Sequence, residues 1–371
     1  MSRLPFCCVL VALLVQAAPV RADEAEDKAA AYFKKLGGVI ERDTKKPGKP
    51  VTEVDLTNLP VTDADLKELA VFKNLHMLSL KKTSVTDAGI KDLVALKTLS
   101  EFDVSETKLT DAALKELGKI TSLTVLDVAG TKITDAGLKD LAPLKNLTVL
   151  CVSKTAVTDA GLKDVAPLTS LLDLDLTNCA KVTDTGLKHL APLKNLSGVH
   201  ITNISDETLV ALRSIGKLHT LSVFQKTKDG KRITKSDDVR FLDLSRYSKI
   251  AITDAGLKEL AEFKNLEELM LSLSQVTAAG LKHLTGCKKL KRLNLYGTAV
   301  TDAGIKELVP LEELWFLSLG KTKVTDKGLK ELVKLKNLKE LHLHDAAAVT
   351  DAGVKELEKL LPDCIIKRDS N

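Results

Sequence analysis

One nine-residue phrase recurs along most of this chain of 371 residues. It reads VTDAGLKDV at residues 157–165. Edited copies begin at Val61, Val85, Leu109, Ile133, Val182, Ile204, Ile252, Val276, Val300, Val324 and Val349. The step is 24 residues up to position 157; it is then 25, 22 and 48 residues, followed by three steps of 24 and a final 25. Such a period predicts an array of stacked repeats rather than a single globular core.

Each repeat contains a strand half and a helix half. In LHMLSLKKT, Leu78 and Leu80 alternate with other residues, which predicts a short strand with one buried face. In VTDAGL, the Thr158 hydroxyl is placed to accept a backbone N–H at a helix start, and Asp159 lies in the first turn, where the helix dipole favours negative charge. We interpret Gly161 as favouring close packing between neighbouring helices. Stacking then buries the leucines of successive repeats in one continuous core.

The segment LLDLDLTNCAKVTDTGLKHL, residues 171–190, resembles the leucine-rich repeats of the cysteine-containing, ribonuclease-inhibitor-like proteins, with Cys179 in the cysteine position. Other repeats carry threonine there and are shorter by one residue. The resemblance covers about residues 51–362. It implies an α/β leucine-rich repeat solenoid, a horseshoe of about twelve to thirteen repeats with a concave parallel β-sheet and convex helices. It also implies protein recognition by the concave face, as in F-box leucine-rich repeat adaptors, although no F-box precedes the repeats here.

The sequence predicts six segments along the chain. Arg3, an apolar run at 6–18 and a small-residue cleavage site at 20–22 are typical of a secretory signal peptide. We therefore expect an exported protein, periplasmic, cell-surface or secreted, with no integral membrane segment after signal removal. The segments are a signal peptide (1–22), an N-terminal capping helix, strand and connector (23–50), repeats (51–216), a degenerate repeat with a hairpin (217–251), repeats (252–361) and a C-terminal cap (362–371).

The repeat rhythm is interrupted between residues 217 and 251. Asp229-Gly230 lies between two strand-like runs, which is a strong signal for a β-hairpin, here at residues 225–236. The hairpin replaces one helix of the array and is rich in lysine and arginine. Two interpretations stay open: a solvated repeat that has drifted from the pattern, or a binding loop, since long loops of repeat arrays often carry function.

The strand residues that are not leucines predict the character of the concave face. In a parallel sheet they form columns with about 4.8 Å between neighbours. The first half of these columns is acidic and the second half is richer in aromatic residues. We expect these aromatic residues to be exposed, and exposed aromatics in a protein with so few of them are better evidence for an interface than the lysines of the helical side. The candidate partner-binding residues are Glu53, Asp55, Glu101, Asp103, Asp127, Asp173, Asp175, Phe224, Phe241, Tyr296 and Phe316.

Few residues of the sequence suggest metal binding or catalysis. Glu340, His342 and His344 share one face of a strand and could hold a divalent metal ion, but the adjacent strand supplies no further histidine, so we favour ordinary polar side chains. The sequence contains no phosphate-binding loop, nucleophile elbow or zinc-protease motif, and the four cysteines after the signal are expected to be free thiols. We predict no cofactor and no enzymatic activity.

The charge balance argues against nucleic acid as a partner. The net charge is +5, and removing Arg3 and Arg21 with the signal leaves 53 − 50 = +3. One helix position carries lysine in most repeats, and the next residue is usually Asp or Glu. The acidic neighbour partly cancels the electric field of the lysine. The sequence therefore predicts an exported scaffold, monomeric, that binds a protein or peptide. The alternatives are a structural component of a cell-envelope or extracellular assembly and, more distantly, a substrate-recognition adaptor as in F-box leucine-rich repeat proteins or a metal-dependent enzyme.

Overall fold

A computed structural model describes residues 24–221, 230–247 and 249–368. Strands and helices alternate along the described chain. The strands are β1 (Val39–Arg42), β2 (Val51–Asp55), β3 (Met77–Ser79), β4 (Glu101–Asp103), β5 (Val125–Asp127), β6 (Val149–Cys151), β7 (Asp173–Asp175), β8 (Gly198–His200), β9 (Asn203–Ser205), β10 (Phe241–Asp243), β11 (Lys249–Ala251), β12 (Glu268–Met270), β13 (Arg292–Asn294), β14 (Phe316–Ser318), β15 (Glu340–His342) and β16 (Ile365–Lys367). The helices are α1 (Glu24–Lys35), α2 (Leu66–Leu69), α3 (Asp87–Leu93), α4 (Asp111–Leu117), α5 (Asp135–Leu138), α6 (Asp159–Val165), α7 (Asp184–Leu187), α8 (Asp206–Ser214), α9 (Asp254–Leu260), α10 (Ala278–Leu281), α11 (Asp302–Leu308), α12 (Asp326–Glu331) and α13 (Asp351–Leu360).

The strands form parallel sheets, as the repeat predicts. One sheet contains β1 to β8 in chain order, and a second contains β10 and β12 to β16. The first strand, β1, is antiparallel to β2 and covers that edge, while all later neighbours in these sheets are parallel. The middle residue of each repeat strand, such as Leu126 or Leu293, is fully buried against the helices. The chain is thus an α/β leucine-rich repeat solenoid. No helix within the described ranges is long and apolar enough to cross a membrane.

Helix starts are joined from repeat to repeat by an aspartate–threonine ladder. Thr158 caps α6 as predicted, accepting the Ala160 N–H at 3.2 Å. Its own N–H and hydroxyl donate to the two carboxylate oxygens of Asp135, at 2.7 and 2.6 Å. The same paired contact joins Asp63–Thr86, Asp87–Thr110, Asp111–Thr134, Asp159–Thr183, Asp206–Thr253, Asp254–Thr277, Asp302–Thr325 and Asp326–Thr350. The aspartate therefore has a specific partner in the next repeat, besides its place near the helix dipole.

The glycine of the repeated phrase lies beside this ladder. A methyl group on Gly161 would lie 2.3 Å from the Asp135 carboxylate and 3.0 Å from the Leu138 side chain. The close packing is thus against the preceding repeat's helix start, as the sequence suggested. Ala113 occupies the equivalent position of its own repeat while the Asp87–Thr110 contact is kept at 2.8 and 2.6 Å, so a small shift admits a methyl group there.

A second column of small polar groups lies inside the turn after each strand. The Thr83 hydroxyl is buried and donates to the Leu80 carbonyl three residues earlier, at 2.6 Å. Cys179 occupies this position in its longer repeat, where its thiol donates instead to the Val152 carbonyl of the preceding repeat at 3.1 Å. The resemblance to the cysteine-containing subtype therefore rests on one repeat, and the subtype stays a prediction.

The interruption in the repeat leaves the helical side continuous. α8 packs directly against α9, Arg213 of α8 pairs with Glu259 at 2.8 Å, and β9 pairs with β11. Within the described chain, the only helical turns between α8 and α9 are short 3₁₀ turns, Leu218–Leu221 and Ser236–Asp238. The replacement of one helix by the interrupted segment stays a prediction. The predicted hairpin at 225–236 falls mostly outside the described residues, which resume at Gly230.

Candidate binding surface

The concave acidic residues lie in two columns of the first sheet. The register places Glu53, Met77, Glu101, Val125, Val149 and Asp173 side by side. The second column runs Asp55, Ser79, Asp103, Asp127, Cys151, Asp175 and His200. The structure therefore brings together the acidic candidates taken from the sequence. We refer to Glu53, Asp55, Glu101, Asp103, Asp127, Asp173 and Asp175 as the acidic columns.

The aspartates of the second column also shape the backbone. One oxygen of Asp103 accepts the Ser105 N–H, and Asp127 and Asp175 accept the N–H two residues later in the same way, each at 2.8 Å. Asn294 makes the equivalent contact with the Tyr296 N–H at 3.0 Å. An amide oxygen therefore closes this turn as a carboxylate does, so Asp→Asn removes the charge and keeps the turn.

Burial and like charge act on the middle of this column. Burial raises the pKa of the Asp127 carboxyl, and the neighbouring Asp103 raises it further. Burial also raises the pKa of the Cys151 thiol to about 12, with smaller contributions from Asp127 and Asp175, so Cys151 is a thiol and a poor nucleophile at neutral pH. Burial lowers the pKa of His200 at the end of the column, which disfavours its cationic form. The histidine beside the acids is therefore mainly neutral at pH 7.

Asp127→Asn is expected to raise the free energy of unfolding at pH 7, by at most about 1 kcal/mol. Because the folded-state pKa of Asp127 is raised, its charged form destabilises the fold once pH exceeds the unfolded pKa of about 3.9, and fully so above the folded pKa. The gain should vanish near pH 3, where the carboxyl is protonated in both states. Urea unfolding at the two pH values measures it. Asp55→Asn, which keeps the contact to Thr57 N–H at the end of the column, is the control, and an equal gain there would contradict the explanation.

A basic residue from the interrupted segment reaches the acidic columns. The Arg232 guanidinium forms an ion pair with the Asp173 carboxylate and lies 3.3 Å from the Ser197 hydroxyl. Arg232 follows Asp173 by 59 residues, so this contact does not come from the repeat geometry. It shows how a cationic side chain is accommodated on the concave face. The sequence shows arginine in this segment, but no pattern in it identifies the partner of that arginine.

The second sheet presents aromatic and cationic groups instead. The Arg292 guanidinium carbon lies 4.2 Å from the Phe316 ring centroid and 4.9 Å from that of Trp315. The His342 ring contacts Phe316 edge-on, with centroids 4.9 Å apart. Phe316 is buried beneath these neighbours, so its expected exposure is wrong: the side chains of adjacent strands cover it. Phe241 is half-buried, and Phe224 lies outside the described residues.

Tyr296 lies across the turn of the next repeat. A methyl group on Gly320 would lie 2.8 Å from the Tyr296 ring and 2.4 Å from the His344 carbonyl oxygen. The Tyr296 hydroxyl donates to the Asp345 carboxylate at 2.6 Å, two repeats away. The ring is half-buried and fixed at both ends. Arg292, Trp315 and this use of Gly320 were not found from the sequence, because each depends on contacts between repeats.

The proposed metal ligands are engaged with other groups. Glu340 accepts from Lys367 at 2.6 Å and contacts His342 at 2.8 Å, which lowers the pKa of its carboxyl. The His344 ring packs edge-on against His342, with centroids 5.5 Å apart. No group of three His, Cys, Asp or Glu side chains in residues 24–221, 230–247 and 249–368 is arranged to hold a metal ion. Glu340, His342 and His344, the low-ranked metal candidates of the sequence, do not form such a group in the described residues.

Comparisons with known proteins agree with this architecture. The family model for the Leucine Rich repeat matches residues 119–142, 168–191 and 286–309. The crystal structure of an internalin from Listeria monocytogenes is similar, with 18% identity, coverage of 89% of this chain and 98% of that chain, and a TM-score of 0.51. No curated protein matches the sequence.

Two further solved structures are similar at lower scores. The functional domain of InlJ from L. monocytogenes, described as including a cysteine ladder, is 16% identical over 86% of this chain and 63% of that chain, with a TM-score of 0.47. The plant peptide hormone receptor RGFR1, in complex with RGF2, is 15% identical over 82% and 56% of the two chains, with a TM-score of 0.40.

Proposed function

We propose that this chain, which belongs to the leucine-rich repeat proteins, is a non-enzymatic binding protein that holds a protein or peptide on its concave sheet. The observation that carries the proposal is the pair of acidic columns, whose carboxylates face the concave side. Their charge favours a partner that presents Lys or Arg. Arg232 supports this assignment, because the chain's own guanidinium already lies against Asp173.

The second sheet contributes a different kind of contact. Arg292, Trp315 and Tyr296 are the residue types that most often carry binding energy at interfaces, and here each is held in place by its neighbours. Side chains that are already ordered lose little conformational entropy on binding. We infer that the partner is extended, with a cationic part against the acidic columns and an apolar part near Tyr296 and Trp315.

The proposal is tested by quantitative crosslinking capture with three baits. Wild type is compared with Asp103/Asp127/Asp175→Asn, which removes three concave charges and keeps the turn contacts. The matched control is Asp92/Asp140/Asp164→Asn, which removes three charges from the helical side. A partner retained by the control and lost from the concave variant supports the proposal. Equal capture by all three baits contradicts it and favours a structural role in an assembly.

We also propose that the protein is exported. The support is the pattern of Arg3, the apolar run at 6–18 and the small residues at 20–22, all outside the described residues. Mass spectrometry of the native protein is expected to find an N-terminus near Asp23. An N-terminus at Met1 or Ser2 in the native protein would contradict this proposal without affecting the binding proposal.

A further inference from the structure

The turns between strand and helix change length in the middle of the array. Between Val152 just after the strand and Val157 before the helix cap, the chain has four residues, 153–156, and the equivalent segment has four residues in most repeats. The next repeat has five, at 177–181. The following one has two, at 202–203, and the repeat that packs beside it has seven, at 245–251. A short turn therefore lies between two long ones.

This mismatch opens a cleft on the side of the array where strands end and helices begin. Its volume is about 540 Å³, within the range of small-molecule sites. Ile201 and Ile204 of the short turn line it together with Val182 and Leu187 of the repeat before. The long turns supply its sides, through Asn178 on one and Lys249 on the other. The cleft is separate from the concave acidic columns.

The aspartate–threonine ladder is incomplete at this cleft. Ser205 stands at the cap position that threonine occupies in other repeats, and it bonds with Thr208 of its own repeat, which replaces the usual glycine. Asp184 then accepts only from the Thr208 hydroxyl, at 2.6 Å, where other ladder aspartates accept two hydrogen bonds from the following threonine. Asp184 lines the cleft and is half-buried. Its second carboxylate oxygen has no hydrogen-bond partner among the described residues.

A cation stands on the opposite side of the same cleft. Lys249 is exposed, and it forms no ion pair with any residue in the described parts of the chain. It belongs to β11, whose parallel pairing with β9 fixes its backbone beside Asn203. The cleft thus presents one carboxylate, one ammonium group and an aliphatic floor, with the two charges not paired to each other.

We propose that this cleft binds a zwitterionic amino acid or dipeptide with an aliphatic side chain. Asp184 accepts from the ligand's ammonium group, Lys249 pairs with its carboxylate, and Val182 and Ile201 contact its side chain. The arrangement requires both ligand charges at once, because a ligand with one charge leaves either Asp184 or Lys249 without a partner. The volume leaves room for a dipeptide as well as a free amino acid.

Isothermal titration calorimetry of the full chain tests the proposal with L-leucine and L-leucyl-L-leucine as probes. Two comparison compounds each lack one charge: 4-methylpentanoate has no ammonium group and 3-methylbutylamine has no carboxylate. At least one probe is expected to bind, and each comparison compound at least about tenfold more weakly, as expected for loss of a charged hydrogen bond. Which probe binds more tightly distinguishes a free amino acid from a peptide.

Two variants test the roles of the charged side chains. Asp184→Asn keeps an oxygen for the Thr208 hydroxyl, and Lys249→Gln changes an exposed residue, so both are expected to fold. Each substitution should weaken binding of the probe that the wild type binds at least about tenfold. Lys181→Gln, on the neighbouring long turn but outside the cleft lining, is the matched control and should leave binding unchanged. No binding of either probe below about 10 mM, or equal affinity in both cleft variants and wild type, would overturn the proposal.

Discussion

Asp135→Ala is expected to lower the free energy of unfolding by about 2–4 kcal/mol. The substitution removes the acceptor for two part-buried donors of the next repeat, the Thr158 N–H at 2.7 Å and the Thr158 hydroxyl at 2.6 Å. Each donor then loses a charged partner, and the hydroxyl still has to cap α6. Urea denaturation followed by circular dichroism measures the change. Asp164→Ala, an acid of the same helical layer without a ladder contact, should change it by no more than about 0.5 kcal/mol.

One repeat of the natural sequence lacks the ladder aspartate, so the contact can be added there by substitution. Ala278 stands where other repeats carry the ladder aspartate, and the Thr301 side chain forms no cap hydrogen bond at the next helix. Ala278→Asp should therefore stabilise the array, by about 1 kcal/mol, through the contacts to Thr301 and an acid in the first turn of α10. A destabilised Ala278→Asp variant would show that the ladder contact contributes no net stability.

Gly320→Ala is expected to destabilise the second sheet by about 2–4 kcal/mol. The new methyl group would meet the His344 carbonyl oxygen at 2.4 Å, a backbone atom that cannot turn away, as well as the Tyr296 ring at 2.8 Å. Relief requires a backbone shift and loss of the Tyr296–Asp345 hydrogen bond. Sequence comparison among the repeats predicts the opposite, since residues with side chains occupy this position elsewhere, Ser153 and Thr177 among them.

Tyr296→Phe separates the two contributions to this effect. It removes the hydroxyl that donates to Asp345 and keeps the ring, and should cost about 1 kcal/mol. Denaturation of the two variants in parallel gives the comparison. If Gly320→Ala is no more destabilising than Tyr296→Phe, the backbone conflict at His344 is not the cause.

The sequence predicted well what lies within one repeat. The alternation around Leu78 and Leu80 and the cap at Thr158 are local patterns, and a period repeated along the chain fixes which columns the strand residues form. Contacts between repeats were harder to predict. Asp159 was explained by its own helix, although its partner Thr183 lies in the next repeat. Phe316 was expected to be exposed, but Arg292 of the neighbouring strand covers its ring. A pattern within one repeat does not show this contact.

The cleft and the Arg232–Asp173 contact could not be predicted because they involve irregular parts of the chain. The cleft beside Asp184 follows from differences in turn length, which are visible as the steps of 25, 22 and 48 residues, but its depth depends on how three turns pack. The Arg232–Asp173 contact joins an irregular segment to a regular one, so no period could reveal it. Irregular steps in an otherwise exact repeat are therefore the places where structure adds most to sequence.

The contact between Asp206 and Thr253 spans 47 residues, where other steps of the ladder span 23 or 24. The entropy of closing a loop grows only with the logarithm of its length, so doubling the separation costs about 0.6 kcal/mol. The array can therefore lengthen at this one step with little loss of stability. A longer chain at this junction is compatible with direct packing of α8 against α9. In an array whose other steps are 22 to 25 residues long, this junction is where new recognition properties can be acquired most easily.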